Sequence, residues 1–408
     1  MITVLATAYA VNPYKGSEDG MGWNFIFQIA RFQKVIAVTR ENNQAAIEKY
    51  MLDNPDSVYQ NISFVYFDLP YWMRFWKKGE RGALLYYFLW QYFLPYYLKK
   101  LDFKVDVVHN VNFHNDWTPS FLWKLNKPFV WGPIGHHPLV EEQFIVPFRK
   151  QDFWKEKITW LVKKYFWNIS LNLSKTVRKS SHVLCMNSHV EKVLPSIRHK
   201  CSIMPSVATE DFGYNPSQEQ KIFRILSAGR LVYLKGFDLT IRSFAKFLEP
   251  LNESQKKQIK LTIVGKGPLE SYYKKLVEDL QILDFVEFIS WIDRKDLLQL
   301  YQDSSVFLFP SHEGAGMVVA EALSFGVPVV CLNNSGPGEF INQSCGVKVD
   351  YSTYEDTLSN LAQGIDNLYK NSVLRNEMSA NARKRFEKHF DWDNRGIQLH
   401  QIYQKIVS

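Results

Sequence analysis

The chain has 408 residues, 46% hydrophobic and 22% charged, which is enough apolar material for sizeable cores and excludes a disordered protein. Its formal net charge of +8 favours an anionic partner, whether nucleotide phosphates, an anionic membrane surface or nucleic acid. Four cysteines, Cys185, Cys201, Cys331 and Cys345, lie at no metal-ligand spacing and read as reduced, mostly buried thiols in a cytoplasmic protein.

The start, MITVLATAYAV, lacks a basic n-region and reads as a first strand. Short apolar runs follow at intervals: KVIAVTR, ISFVYFD, VDVVHNV, PFVWGPI and SHVLCMN. Turn chemistry or a helix-like segment follows each, so the pattern predicts a parallel, doubly wound sheet. Between the first strand and its helix lies NPYKGSEDGMGWN, where Gly16, Gly20 and Gly22 allow close backbone approach to a ligand. The spacing is not G-x-G-x-x-G, so dinucleotide binding is not favoured. The longest apolar stretch, ALLYYFLWQYFLPYY at 83–97, is short for a membrane span and carries Gln91 and Pro95.

Two histidine clusters follow strand-like runs, HNVNFHNDW with His109 and His114 and WGPIGHHP with His136 and His137. No H-E-x-x-H or third ligand accompanies them, so they do not predict a metal site, and His109 reads as structural. Two stretches mix aromatic and basic residues. PYWMRFWKKGERG places Trp72, Phe75 and Trp76 beside Arg74, Lys77 and Lys78. FWKEKITWLVKKYFW places Trp154, Ile158, Leu161 and Tyr165 at helical spacing, with Lys155, Lys157, Lys163 and Lys164 nearby. Either this is a basic amphipathic helix lying on an anionic membrane, or it is a core-facing stripe with a solvated lysine face.

A polar, turn-rich piece at 205–221, with Pro205, Gly213 and Pro216, marks the expected domain boundary. Strand-like runs resume at 223–229, 260–265, 285–290, 306–311 and 328–332, with helices expected at about 237–248, 268–281, 294–303 and 316–325. The result is an α/β chain of two Rossmann-like domains facing each other across a cleft. In such sheets ligands sit at the carboxyl ends of the strands. Three loops there carry unusual residues: GRLVYLKGFD with Arg230 and Lys235, GKGP with Gly265 and Gly267, and HEGAG with Glu313. Glu321 follows Glu313 by eight positions, on the second turn of the next helix. A helix N-terminus beside Arg230 and Lys235 suits a diphosphate, and two carboxylates suit ribose and sugar hydroxyls.

The ordered set GRLVYLKGFD, VGKGP, PSHEGAGMVVAEALSFGVPVV and NNSGPGEF resembles family 4 of the retaining nucleotide-sugar glycosyltransferases, which have the GT-B fold. The resemblance covers about 190 residues and continues into the final helix. It implies a donor domain at 209–390 and an acceptor domain at 1–208, on which the helix at about 391–408 packs back. It makes Glu321 the ribose ligand and places Glu313 at the donor sugar. It gives Arg230 and Lys235 to the leaving diphosphate, with backbone N–H groups around Ala315, Gly316 and Met317 helping and Ile292 against the base. Gly16, Gly20 and Gly22 would approach the donor diphosphate from the opposite wall. His136 is the candidate for the histidine that many members place near the donor sugar, although here the strand ends in WGPIG before it. Glu339 in GPGEF reads equally as a ligand or a helix N-terminal charge.

The expectation is therefore a retaining, metal-independent hexosyltransferase. Its nucleotide sugar is a substrate rather than a cofactor, its acceptor is a glycan or lipid-linked molecule, and its setting is assembly of a bacterial-type surface polysaccharide. The expected location is cytoplasmic, with peripheral attachment to the inner face of the plasma membrane left open. A nucleotide-sugar epimerase or hydrolase on the same fold is the alternative. Nucleic-acid binding is disfavoured, because basic residues gather at 74–81 and 149–164 and fit a membrane patch better than a continuous strip.

Overall fold

The computed structural model describes residues 1–79, 81–112, 115–214 and 222–408; His114 and Pro216 lie outside the described residues. The chain divides into two compact units. The first comprises Met1–His136, Leu161–Ala208 and Trp392–Ser408; the second comprises His137–Trp160 and Thr209–Asp391.

In the first unit, β1 (Thr3–Thr7), β2 (Lys34–Thr39), β3 (Ile62–Tyr66), β4 (Val107–Asn110), β5 (Phe129–Ile134), β6 (His182–Cys185) and β7 (Cys201–Ile203) form one sheet in the order β3-β2-β1-β4-β5-β6-β7. Every pairing is parallel, with Thr3 opposite Lys34 and Val4 opposite Val107. The order reverses between β1 and β4, so the loops after those strands diverge at their carboxyl ends. Burial on both faces explains the nearly continuous apolar runs, since all six residues of β5 are buried.

The second unit repeats the plan with β8 (Phe223–Ala228), β9 (Ile259–Val264), β10 (Val286–Ile289), β11 (Val306–Phe309), β12 (Val329–Leu332) and β13 (Gly346–Val349), again all parallel, in the order β10-β9-β8-β11-β12-β13. Its order reverses between β8 and β11. Both units are thus Rossmann-like. The edge strands β7 and β13 were not expected from the sequence.

The division is less simple than two consecutive blocks. His137–Trp160 groups with the second unit because Val140, Phe144 and Ile145 are buried in that unit's core. Polar bonds reinforce it. Tyr233 donates its hydroxyl proton to Glu156 at 2.7 Å, and the Gln143 side chain donates to the Ser352 carbonyl at 3.0 Å. The terminal helix Trp392–Val407 belongs to the first unit. Its Trp392 meets Phe25 edge-on at 5.4 Å, and its buried Arg395 donates to the carbonyls of Pro205 and Val207.

The same helix closes on His109, which is fully buried in β4. His109 Nε2 lies 2.7 Å from the Gly132 carbonyl and Nδ1 lies 2.6 Å from the Tyr403 hydroxyl. A carbonyl only accepts, so Nε2 carries the proton and Nδ1 accepts from Tyr403. His109 is a satisfied core residue. Tyr403→Ala should empty a fully buried site and orphan Nδ1, costing about 3–5 kcal/mol in denaturant unfolding followed on the first unit. A cost below about 1 kcal/mol would contradict this account of how the last helix is held.

Candidate functional site

The conspicuous loops of the second unit meet at the carboxyl ends of β8, β9 and β11. The turn after β9 interlocks with the turn after β8. Gly265 has φ of +141°, and a Cβ there would lie 1.9 Å from the Gly229 carbonyl oxygen. Only glycine allows this approach. Gly267 is pressed in the same way against Leu231. Both glycines therefore serve a backbone contact that positions the segment carrying Arg230 and Lys235.

That segment is in turn tied to the loop after β11. The Leu234 carbonyl accepts from the His312 N–H at 2.9 Å and from the Ser311 hydroxyl at 3.1 Å. Asn334 donates to the Ser311 carbonyl at 2.6 Å, and its side-chain oxygen accepts from the N–H groups of Gly336 and Gly338. Gly336 packs so closely that a Cβ would meet the Glu313 carbonyl at 2.0 Å. This is the structural content of the NNSGPG motif.

So held, Lys235 donates to Glu313 Oε2 at 2.6 Å, and its ammonium lies 5.2 Å from the Phe309 ring centroid. The sequence assigned these two residues to different parts of a ligand; the structure pairs them with each other. Arg230 is exposed and makes no salt bridge among the described residues. Ala315, Gly316 and Met317 lie at the start of the helix Met317–Ser324. Glu339 lies in the short helix Pro337–Phe340, and Arg385 donates to its main-chain carbonyl.

Glu321 is only 4% exposed. Arg294 donates to its Oε1 at 3.1 Å and Tyr301 donates to its Oε2 at 3.1 Å. Burial, then the neighbouring carboxylate, holds the Tyr301 phenol well above its usual range, so it stays a proton donor. Tyr301 stacks on Phe325, Phe325 stacks on Phe212, and Arg294 lies over Phe212. Arg294 and Tyr301 were not singled out in the sequence. Their i, i+7 spacing on the helix Arg294–Gln302 places them on one face, a signal that was available. Ile292, half-buried, lies in the loop just before that helix.

The adjacent histidines part company. His136 is buried in the first unit, with Nδ1 2.8 Å from Asp116 Oδ2, and its ring stacks near His189 and Trp167. His137 belongs to the second unit, where its Nδ1 accepts from the Gly314 N–H at 3.1 Å. His137 is thereby brought to the Glu313 loop of its own unit. In the first unit, Gly20 and Gly22 lie inside the helix Ser17–Ala30. The close approach there comes from the chain's own Lys15 and Ala10 carbonyls, whereas Gly16 faces open space.

Among the described residues no group of three or more His, Cys, Asp and Glu is arranged to hold a metal ion. A D-x-D spacing does occur at Asp391–Trp392–Asp393, but Asp393 accepts from Arg31 at 2.5 Å and Asp391 is bridged through its backbone to Thr209.

Residues 207–385 match the family model for glycosyl transferases group 1. An uncharacterized glycosyltransferase of Methanocaldococcus jannaschii is 31% identical over 208 residues, covering 48% of this chain and 51% of the relative. A GDP-mannose-dependent monoacylated alpha-(1-6)-phosphatidylinositol monomannoside mannosyltransferase of Corynebacterium glutamicum is 28% identical over 183 residues, covering 43% of this chain and 45% of the relative. The chain thus spans about half the length of the curated relatives it matches. The crystal structure of Anabaena HepE in complex with UDP and glucose superposes with a TM-score of 0.62 at 14% identity, covering 99% of this chain and 100% of the other. That likeness shows the fold, which is GT-B. The segment 207–385, which lies in the second unit from Thr209 onward, is therefore similar to the group 1 glycosyl transferases.

His312, whose N–H joins the loop after β11 to the Leu234 carbonyl, has a pH signature. Burial pushes the His312 imidazole down to about 4, with Phe144 at 4.9 Å against its ring. Its folded pKa lies below the unfolded value of about 6.5, so the unfolded chain binds more protons between the two. The stability His312 confers is complete above about pH 6.5 and is lost as pH falls toward about 4. In thermal melts the pH profile of His312→Phe should be flatter than wild type across that window; parallel profiles would contradict the assignment.

Proposed function

We propose that the chain is a retaining glycosyltransferase that moves a sugar from a nucleoside-diphosphate sugar to a glycan or lipid-linked acceptor. The observation that carries this reading is the Lys235–Glu313 pair, with an exposed Arg230 on the same segment after β8 as Lys235. Two cations and the N-terminus of the helix Met317–Ser324 suit a diphosphate. Glu321, fixed by Arg294 and Tyr301, retains acceptor lone pairs for ribose hydroxyls. The names of the Corynebacterium mannosyltransferase and of HepE with UDP and glucose support a nucleotide-sugar donor.

In this reading the anomeric carbon–oxygen bond to the diphosphate breaks while the acceptor oxygen bonds on the same face. The acceptor proton passes to a departing phosphate oxygen, so no enzyme carboxylate need act as nucleophile. Lys235 exchanges Glu313 for the diphosphate as negative charge grows there. Glu313, released from the pair, accepts hydrogen bonds from the sugar. The reading includes no resident metal and no cofactor. His136, its Nδ1 held by Asp116, is offered as a first-unit contributor to sugar or acceptor binding. The setting would be surface polysaccharide assembly.

Peripheral membrane attachment belongs to the same reading. Trp154, Ile158, Leu161 and Tyr165 are 60%, 57%, 65% and 54% exposed on the helix Lys150–Ile169, so they are not a core stripe. Lys155, Lys157, Lys163 and Lys164 accompany them. An apolar stripe flanked by lysines fits an anionic bilayer surface. No helix of the described residues is long and apolar enough to cross a membrane.

Lys235→Ala should lower kcat by about a hundredfold while KM rises less, because the lost charge acts on the leaving group. A near-normal kcat would remove Lys235 from that role. Co-sedimentation with anionic vesicles should be salt-sensitive and should vanish when the four lysines are changed to glutamate. Equal partitioning to neutral and anionic vesicles would overturn the electrostatic part.

A further inference from the structure

A second set of cations lies in the first unit, at the carboxyl ends of β2 and β3. Arg40 follows β2 directly, and Asp68 and Tyr71 follow β3. With Arg74, Lys77 and Tyr86 they line a cavity of about 390 Å³. That volume lies in the range of small-ligand sites, and the lining residues gather at the carboxyl ends of two strands.

The charges are incompletely matched. Arg40 donates through Nη1 to the Tyr9 hydroxyl at 3.0 Å and through Nη2 to Asn42 at 2.5 Å, and its guanidinium lies over the Tyr9 ring. Arg74 points Nη1 at Asp68, 3.5 Å away, and Nη2 at Glu41, 3.4 Å away. In both arginines the Nε is buried and has no hydrogen-bond partner among the described residues. Asp68 is committed, since it also accepts from the Tyr86 hydroxyl at 2.5 Å. Lys77 is held below the usual lysine range by burial first and then by the Arg40 charge. Among the described residues, three cations thus share two carboxylates, Asp68 and Glu41. That excess of cationic charge suits a tetrahedral oxyanion, to which the Arg74 guanidinium, 36% exposed, and the Lys77 ammonium can both donate from the cavity wall.

Tyr71, which lines the cavity, and its chain neighbours Trp72 and Phe75 are 76%, 71% and 59% exposed, all within one short segment. Three large exposed apolar side chains beside a cationic cavity match a ligand with an anionic head and an apolar tail.

We propose that this cavity binds the phosphate of an amphiphilic phosphate ester, whose apolar chain lies along Tyr71, Trp72 and Phe75. This rests on the transferase reading only in making such a molecule an acceptor; binding itself needs no donor. The chemistry is recognised in two halves. Arg40, Arg74 and Lys77 take the phosphate, and the aromatic segment takes the chain.

The test is calorimetry on the full chain with octyl phosphate below its micelle concentration, inorganic phosphate, and octyl glucoside. Octyl phosphate is expected to bind about tenfold more tightly than inorganic phosphate, by apolar burial of its chain, and octyl glucoside not at all. The R74Q/K77Q variant should weaken octyl phosphate by about tenfold, as the loss of charge-assisted bonds requires. Its melting temperature and its affinity for free nucleoside diphosphate should stay at wild-type values. Should that variant melt early, K77E alone is expected to give the same loss. W72A/F75A should erase the advantage of octyl phosphate over inorganic phosphate. Equal affinity of wild type, R74Q/K77Q and K77E for octyl phosphate overturns the proposal, as does a failure of octyl phosphate to bind wild type, or octyl glucoside binding as tightly as octyl phosphate. Inorganic phosphate binding as tightly as octyl phosphate overturns the amphiphile. Phospholipid vesicles containing phosphatidylglycerol that compete away octyl phosphate would assign the site to a headgroup in the bilayer and overturn the acceptor role. A lost affinity for nucleoside diphosphate in Glu321→Gln, or its absence, bears on the transferase reading alone.

Discussion

The second unit depends on one carbonyl oxygen, that of Leu234. It accepts two hydrogen bonds from the loop after β11, one from the His312 N–H and one from the Ser311 hydroxyl. The turn that carries Lys235 and the loop that carries Glu313 are therefore set against each other by main chain before any ligand arrives. Preorganisation of this kind matters because a charge aimed at a leaving group is effective only if it need not reorganise as the bond breaks. The glycine interlock on one side and the Asn334 turn on the other complete the frame. Lys235 and Glu313 neutralise each other within it, so a part-buried ammonium, 16% exposed, is never left unpaired.

The first unit is organised around a different need, closing a seven-stranded parallel sheet that is buried on both sides. The chain meets it by bringing its last helix back to the sheet, with Tyr403 on His109 and Arg395 on the carbonyls after β7. In exchange, His137–Trp160 is lent to the second unit. Neighbouring histidines thus have separate employments, one on Asp116 and the other on Gly314.

Much of this was legible in the sequence. Buried parallel strands are near-continuous apolar runs, so FRILSAG, KLTIVG and VFLFPS declare themselves. The edge strand β7 is CSI and β13 is GVKV, too short and too mixed to stand out. The loops at the strand ends were identified because glycine, arginine and glutamate are conspicuous there. What they do to one another was not. Spacing along the chain does not say that Lys235 lies on Glu313, which is 78 residues away, or that Arg294 reaches Glu321 across 27. Those contacts come from the packing of helices on a sheet whose order is not its chain order. The exposure of Trp154, Ile158, Leu161 and Tyr165 was undecidable for the same reason, since a helical stripe looks alike whether it meets a core or a membrane.

The central claim is that the Lys235–Glu313 pair is a resting state which the diphosphate opens. The most direct measurement is the affinity of free nucleoside diphosphate for wild type and for Glu313→Gln, by calorimetry at low and moderate salt. Glutamine leaves Lys235 without its competitor, so the account predicts binding tighter by about two- to fivefold, the scale of a part-exposed ion pair, with transfer slower. Weaker or unchanged binding in Glu313→Gln would contradict it.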